Sequence, residues 1–217
     1  MARSSLVAPS ILAANFGDLK NEIQSVASLG SDWIHIDVMD GSFVPPITFG
    51  DNVIKVAKEA CNLHLDVHLM VEHPETHMES FAKAGADRFV VHQETCPHLH
   101  RTLSAVKKLG MNCGVAINPA TPVTTIFDVL DSCELVLIMT VNPGWGGQSF
   151  ISECVSKIKT LRNEIDSRRL NTLIQVDGGI NQETGKQCFD AGADVFVAGS
   201  YIFGSQDREA AIKSLKF

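Results

Sequence analysis

Leu29-Gly-Ser-Asp-Trp-Ile-His-Ile-Asp37 decides the fold, because the chain repeats it. Ala84-Gly-Ala-Asp-Arg-Phe-Val-Val-His92 and Ala191-Gly-Ala-Asp-Val-Phe-Val-Ala-Gly199 are close copies, and Leu109-Gly-Met-Asn-Cys-Gly-Val-Ala-Ile117 is a weaker one. Each copy reads as a helix end, a glycine in the left-handed region just past it, and then a short buried strand. The residues before these glycines have helical period. Leu19, Ile23, Val26 and Ala27 share a face before Gly30, and Leu99, Leu103 and Val106 share one before Gly110, with Pro97 near the first turn. Val155, Ile158, Leu161 and Ile165 mark a further amphipathic helix, and Asn181 is a suitable N-cap for the helix ending near Gly192.

Working outward, eight short strands rich in β-branched residues are expected around 6–10, 33–38, 63–69, 88–92, 112–117, 134–140, 172–177 and 194–199, with helical segments between them. Regular strand–helix alternation implies a parallel sheet covered on both faces. Eight units in 217 residues favour closure into a single-domain (β/α)8 TIM barrel spanning 1–217. An open doubly wound sheet is the alternative. No G-x-G-x-x-G follows the first strand, which weakens it.

Composition narrows the function classes. The chain is 45% hydrophobic and 20% charged, with a formal net charge of −7. No basic cluster points to nucleic acid, and no apolar run approaches the ~18 residues of a membrane span. None of the six cysteines forms a C-x-x-C pair, so reduced structural thiols are expected. Only Met1–Ser5 precede the first apolar run, less than the about 15–30 residues of a leader, which argues for a cytoplasmic protein.

Polar residues interrupt strands that should be buried. Strand side chains alternate faces. In the second strand Ile34, Ile36 and Val38 suit the helix-facing side, leaving Trp33, His35, Asp37 and Met39 inside the barrel. In the third, Leu63, Leu65, Val67 and Leu69 face out, while His64, Asp66, His68 and Met70 face in. The seventh, Leu173-Ile-Gln-Val-Asp177, finishes on a carboxylate. Buried ionised groups are costly unless paired or bound to metal, and strand C-termini are where these barrels carry chemistry. His35, Asp37, His68 and Asp177 are therefore expected to hold one divalent ion per subunit. A hydrogen-bonded polar plug is the alternative. Nitrogen and oxygen donors suit zinc, the first expectation, or iron(II), manganese or cobalt. His64 and Asp66 lie deeper and read as supporting residues. His73, His77, His92, His98 and His100 read as surface or structural.

Three glycine-bearing turns follow strands six, seven and eight: Asn142-Pro-Gly-Trp-Gly-Gly-Gln148, Asp177-Gly-Gly-Ile180 and Ala198-Gly-Ser200. Their backbone N–H groups can approach an anion closely, and loops after the last strands are the usual phosphate site of such barrels. Gly144, Trp145, Gly146, Gly147, Gly178, Gly179, Gly199 and Ser200 are the candidate contacts. No Gly-Lys-Ser/Thr follows, so this is not a P-loop. Every lysine, from Lys20 to Lys216, falls in an expected helix, which leaves no strand-end lysine for Schiff-base chemistry.

The sequence resembles the ribulose-phosphate 3-epimerase family over nearly its whole length. The resemblance rests on Ala8-Pro-Ser-Ile-Leu-Ala13, His35-Ile-Asp-Val-Met-Asp-Gly41 with Phe43-Val-Pro45, Leu65-Asp-Val-His-Leu-Met70, Met139-Thr-Val-Asn-Pro-Gly144 with Gly146-Gly-Gln148, Val176-Asp-Gly-Gly-Ile180 and Val197-Ala-Gly-Ser200. Pro46 and Trp145 depart from the family pattern, where Asn and Phe are common. The plant-like cytosolic form is the expected subtype. The resemblance implies a metal-dependent enzyme of the pentose phosphate pathway that interconverts D-ribulose 5-phosphate and D-xylulose 5-phosphate at C3. It implies that Asp37 and Asp177 are the acid/base pair as well as metal ligands. Ser10, His68 and the strand-end thioethers Met39, Met70 and Met139 would contact substrate. A homo-oligomer is expected, dimer or hexamer.

Overall fold

The computed structural model describes residues 4–217; the first residues of the short N-terminal stretch, 1–3, lie outside them. Eight strands form one parallel sheet: β1 (Leu6–Pro9), β2 (Trp33–Met39), β3 (His64–Met70), β4 (Arg88–His92), β5 (Asn112–Ile117), β6 (Leu135–Met139), β7 (Leu173–Asp177) and β8 (Val195–Ala198). The order β1-β8-β7-β6-β5-β4-β3-β2 leaves one seam, between β1 and β2. Ser10 bridges to His35 across it. Asp32 staples it again, donating its N–H to Val7 O at 3.0 Å and accepting the Val7 N–H on Oδ2 at 2.8 Å. The result is a (β/α)8 barrel, and every strand lies within a residue or two of its expected place.

The helices wrap outside: α1 (Leu19–Ser28), α2 (Asp51–Ala60), α3 (Met78–Ala84), α4 (Leu99–Lys108), α5 (Val155–Arg168), α6 (Gln182–Ala191), α7 (Ser200–Phe203) and α8 (Arg208–Lys213). Gly30, Gly85, Gly110 and Gly192, the four repeat glycines, take φ of +94°, +101°, +83° and +123°. Each lets a helix stop and the chain turn directly into a strand. Asn181 caps α6 in a reciprocal box with Thr184. The segment between β5 and β6 differs from its neighbours. Val123–Ser132 is a 3-10 helix. It opens on the β-branched run Val123-Thr-Thr-Ile126, which disfavours an α-helix, and it packs against α4 and α5 in the outer layer.

Strand alternation sorts the core. Ile34, Ile36, Leu65 and Val67 pack outward against helix residues such as Ile23, Ile54 and Phe81. Ala8, Val90, Leu135, Leu137 and Val197 fill the barrel interior. All six cysteines are free thiols, five of them buried. Among the described residues no helix is long and apolar enough to cross a membrane. Lys216 corrects the lysine expectation: it lies past the end of α8, paired with Asp32 at 3.1 Å.

Candidate metal and active site

β2 and β3 run in register, with His35 opposite Asp66 and Asp37 opposite His68. Because both strands keep their apolar residues toward the helices, these four side chains converge inside the barrel mouth. Asp177 joins them from the end of β7, beside Met139 on β6. His35 Nε2 and His68 Nδ1 lie 3.2 and 3.1 Å from Asp37 Oδ1. The same nitrogens are 3.9 and 4.0 Å from Asp177 Oδ2. One ligating atom from each of the four lies within 4.8 Å of the others. The second oxygen of Asp37 accepts a hydrogen bond of 2.5 Å from the Ser10 hydroxyl.

Electrostatics split the two carboxylates. Burial would raise Asp37, but His35 and His68 beside it hold it well below the usual carboxylate range. Asp177 is pushed up to about 7, first by burial and then by the charge of Asp37. Burial opposes protonation of His35, yet Asp37 and Asp66 hold it well above the ordinary imidazole value. His68 is lowered to about 4, chiefly by burial. The cluster thus holds protons unevenly, and two imidazole nitrogens with two carboxylate oxygens aimed at one point suit a divalent first-row ion. The residues present fit such an ion. Among the described residues this is the one group of three or more His, Cys, Asp or Glu side chains with that convergence.

The support beneath the cluster is built from further inward-facing residues. Asp66 Oδ2 accepts from His35 Nδ1 at 2.8 Å and from Gln175 Nε2 at 2.6 Å. Arg88 Nη1 stands 3.6 Å from Asp66 Oδ1 and its guanidinium lies 4.4 Å over the Trp33 ring. Asp66 is thus a supporting residue, as expected, and it acts through His35. His64 packs against Trp33 with ring centroids 5.0 Å apart. His92 is placed differently from the other histidines grouped with it. It is fully buried, and its Nε2 lies 2.8 Å from His68 Nε2. Strand parity carried the signal: Arg88, Val90 and His92 alternate inward along β4, and His92 ends it.

Above the cluster opens a cavity of ≈ 800 Å³, with Asp37 and Asp177 among its walls. Ser10, Met39, Met70 and Met139 line it, as do Gly144–Gly147, Gly178, Gly179, Gly199 and Ser200. His35 and His68 are fully buried and do not line it. The His68 ring lies between Asp37 on one side and His92 on the other. Trp145 is on the wall and 58% exposed. Gly178 and Gly179 cannot be replaced without strain. They take φ of +118° and +65°, and an added Cβ would meet Val141 at 2.4 Å and Phe150 N at 2.7 Å. No lysine or arginine lines the cavity among the described residues. The N–H groups of Gly179, Gly199 and Ser200 enter none of the described loop and turn hydrogen bonds. An anion here would therefore meet backbone dipoles rather than cationic side chains.

The family model described as the Ribulose-phosphate 3 epimerase family matches residues 6–203. The ribulose-phosphate 3-epimerase of Bacillus subtilis is 50% identical over 211 residues, 97% of this chain and 97% of that protein. The chloroplastic ribulose-5-phosphate-3-epimerase of Arabidopsis thaliana is 48% identical over 213 residues, 97% of this chain and 76% of that one. Among solved structures, orotidine 5'-phosphate decarboxylase from Pyrococcus horikoshii superposes with a TM-score of 0.69 at 17% identity, covering 97% of both chains, a likeness of fold alone.

Proposed function

Since the chain belongs to the ribulose-phosphate 3-epimerase family, we propose that it interconverts D-ribulose 5-phosphate and D-xylulose 5-phosphate by proton transfer at C3 with a divalent ion at His35, Asp37, His68 and Asp177. The observation that carries this reading is the pair Asp37 and Asp177. They reach one cavity from strands that are not neighbours, and their environments push their proton affinities apart. Such a split marks acid and base roles.

C3 of the substrate is next to a ketone, so its proton can leave if the resulting negative charge on oxygen is stabilised. A bound divalent ion would supply that stabilisation as a Lewis acid. The ionised carboxylate takes the C3 proton, and the protonated carboxylate returns one to the opposite face. Ser10 holds the Oδ2 of Asp37 in place through its hydroxyl. His35 Nε2 and His68 Nδ1 lie 3.2 and 3.1 Å from Oδ1, and these three atoms would share the ion. Met39, Met70 and Met139 keep water from the reacting carbon with polarisable, uncharged surface. The glycine turns after β6, β7 and β8 bind the phosphate through backbone N–H groups. Zinc is the first candidate ion, with iron(II), manganese and cobalt as alternatives. Residues 1–217 act as one barrel domain, in a cytoplasmic homo-oligomer of the pentose phosphate pathway. The plant-like cytosolic subtype is not singled out by the relatives, which include bacterial and chloroplastic proteins.

Incubation with D-ribulose 5-phosphate in heavy water tests the reading. Deuterium should enter at C3, and D-xylulose 5-phosphate should accumulate without cleavage. Cleavage products, or no exchange at C3 in ion-loaded protein, would overturn it. Parallel rates on six-carbon ketose phosphates separate the pentose reaction from a hexulose one.

A further inference from the structure

We propose that His92 and Glu94 are positioning residues of the ion site, fixing which nitrogen of His68 faces it. This rests on the ion reading above. Each histidine of the cluster presents one nitrogen to the centre and commits the other behind it. For His35 the committed atom is Nδ1, which meets Asp66 directly at 2.8 Å. For His68 it is Nε2, which meets another imidazole, His92 Nε2, at 2.8 Å. Two imidazole nitrogens this close need one proton between them, and the pair alone does not say whose.

Glu94 decides it. Its Oε2 lies 3.2 Å from His92 Nδ1. Its Oε1 accepts from the Asn118 N–H at 2.8 Å and from the Thr121 hydroxyl. A carboxylate with these donors around it is an acceptor only. His92 Nδ1 must therefore carry a proton and donate it toward Glu94. A neutral His92 then has its lone pair on Nε2. That lone pair accepts the Nε2–H of His68, and the lone pair of His68 is left on Nδ1, facing Asp37 and Asp177. Polarity runs one way along the chain, from Glu94 to the cluster.

The surroundings hold this order in place. The Phe43 ring packs on His92 at 4.8 Å between centroids, and the His68 ring lies 5.0 Å away at 30°. His92 is fully buried between them and has no water-facing alternative. Lys157 clamps the loop that anchors Glu94, donating to the carbonyls of Asn118 at 2.9 Å and Thr121 at 2.7 Å.

Binding of Co²⁺ to the full chain, measured by competition with a chromophoric chelator and by the visible spectrum of the Co²⁺ form, tests the relay. His92→Phe keeps a ring but no acceptor, and should weaken Co²⁺ binding ~10–100-fold and alter the spectrum. His92→Gln places a carbonyl near the lost lone pair and should recover most of the affinity. Glu94→Gln, which can accept but no longer dictates polarity, should fall between them. Thermal unfolding of the ion-free variants separates lost binding from lost folding. Parent-like affinity and spectrum in His92→Phe would overturn the relay alone. Failure of the parent to bind Co²⁺ would overturn the ion reading and the relay with it.

Discussion

Asp66 Oδ2 accepts from His35 Nδ1 at 2.8 Å, on the side of the imidazole that faces away from the cavity. The bond turns Nε2 toward Asp37 and Asp177 and fixes the tautomer that leaves it free to bind an ion. Metal-ligating histidines are commonly oriented in this way. Asp66→Asn should lower divalent-ion affinity ~10-fold, because the amide can accept from His35 but carries no charge to strengthen the bond. It also leaves the buried Arg88 without a nearby carboxylate. A loss of stability of ~1–3 kcal/mol is expected, read by urea unfolding of the ion-free protein. Ion content after dialysis against a chelator reads the first effect.

Asp177→Asn should abolish epimerisation while the barrel still folds, measured by coupled assay and circular dichroism. Its stability should also part from the parent's in a defined pH window. The folded pKa of Asp177 is raised from 3.8 to about 7. In the ion-free protein this group favours folding while protonated, and that contribution is lost as pH rises from 3.8 through about 7. The Asn variant lacks this loss, so it should gain at least ~1 kcal/mol on the ion-free parent between acid and neutral pH.

Chelation should inactivate the protein, and a divalent ion should restore it. Loading requires both His35, held above the ordinary imidazole value, and Asp177, raised to about 7, to give up a proton, so apparent affinity should fall as pH drops through neutrality. The ion should also raise thermal stability, by ~2.7 kcal/mol at a free concentration 100 times its dissociation constant. Calorimetry at graded ion concentrations measures both effects. Full activity in ion-free protein would remove the ion from the mechanism.

Gly179→Ala should raise KM for the phosphorylated substrate more than it lowers kcat. The position has φ +65°, and the new Cβ would press on the backbone of Phe150 at 2.7 Å. Relief requires the turn after β7 to shift, which moves its N–H groups. A destabilisation of ~1–3 kcal/mol should accompany it. Steady-state kinetics on phosphorylated and unphosphorylated ketose separate a phosphate effect from a general one.

Much of this molecule was legible in local pattern. Glycine at the helix ends and period-two alternation in β2 and β3 are properties of consecutive residues, so the eight strands and the inward set His35, Asp37 and His68 followed from them. The same alternation pointed inward at His92, yet a histidine closing an otherwise ordinary strand has no local feature that names its partner. Its meaning comes from His68, 24 positions earlier, and from a register that sets β3 beside β4. The depth of His68 behind Asp37 was likewise beyond local pattern, because parity gives the face of the sheet and not the depth.

The sequence by itself determined the barrel and the identity of the four converging side chains, since both depend on alternation and turn chemistry within short stretches. Tertiary structure decided which nitrogen of each histidine faces the centre, which carboxylate keeps its proton, and that Asp66, Gln175, His92 and Glu94 stand behind them. Those outcomes depend on distances of a few ångströms between residues far apart in the chain. Hydrogen-bond polarity and buried charge are sensitive at that scale, and sequence pattern is not.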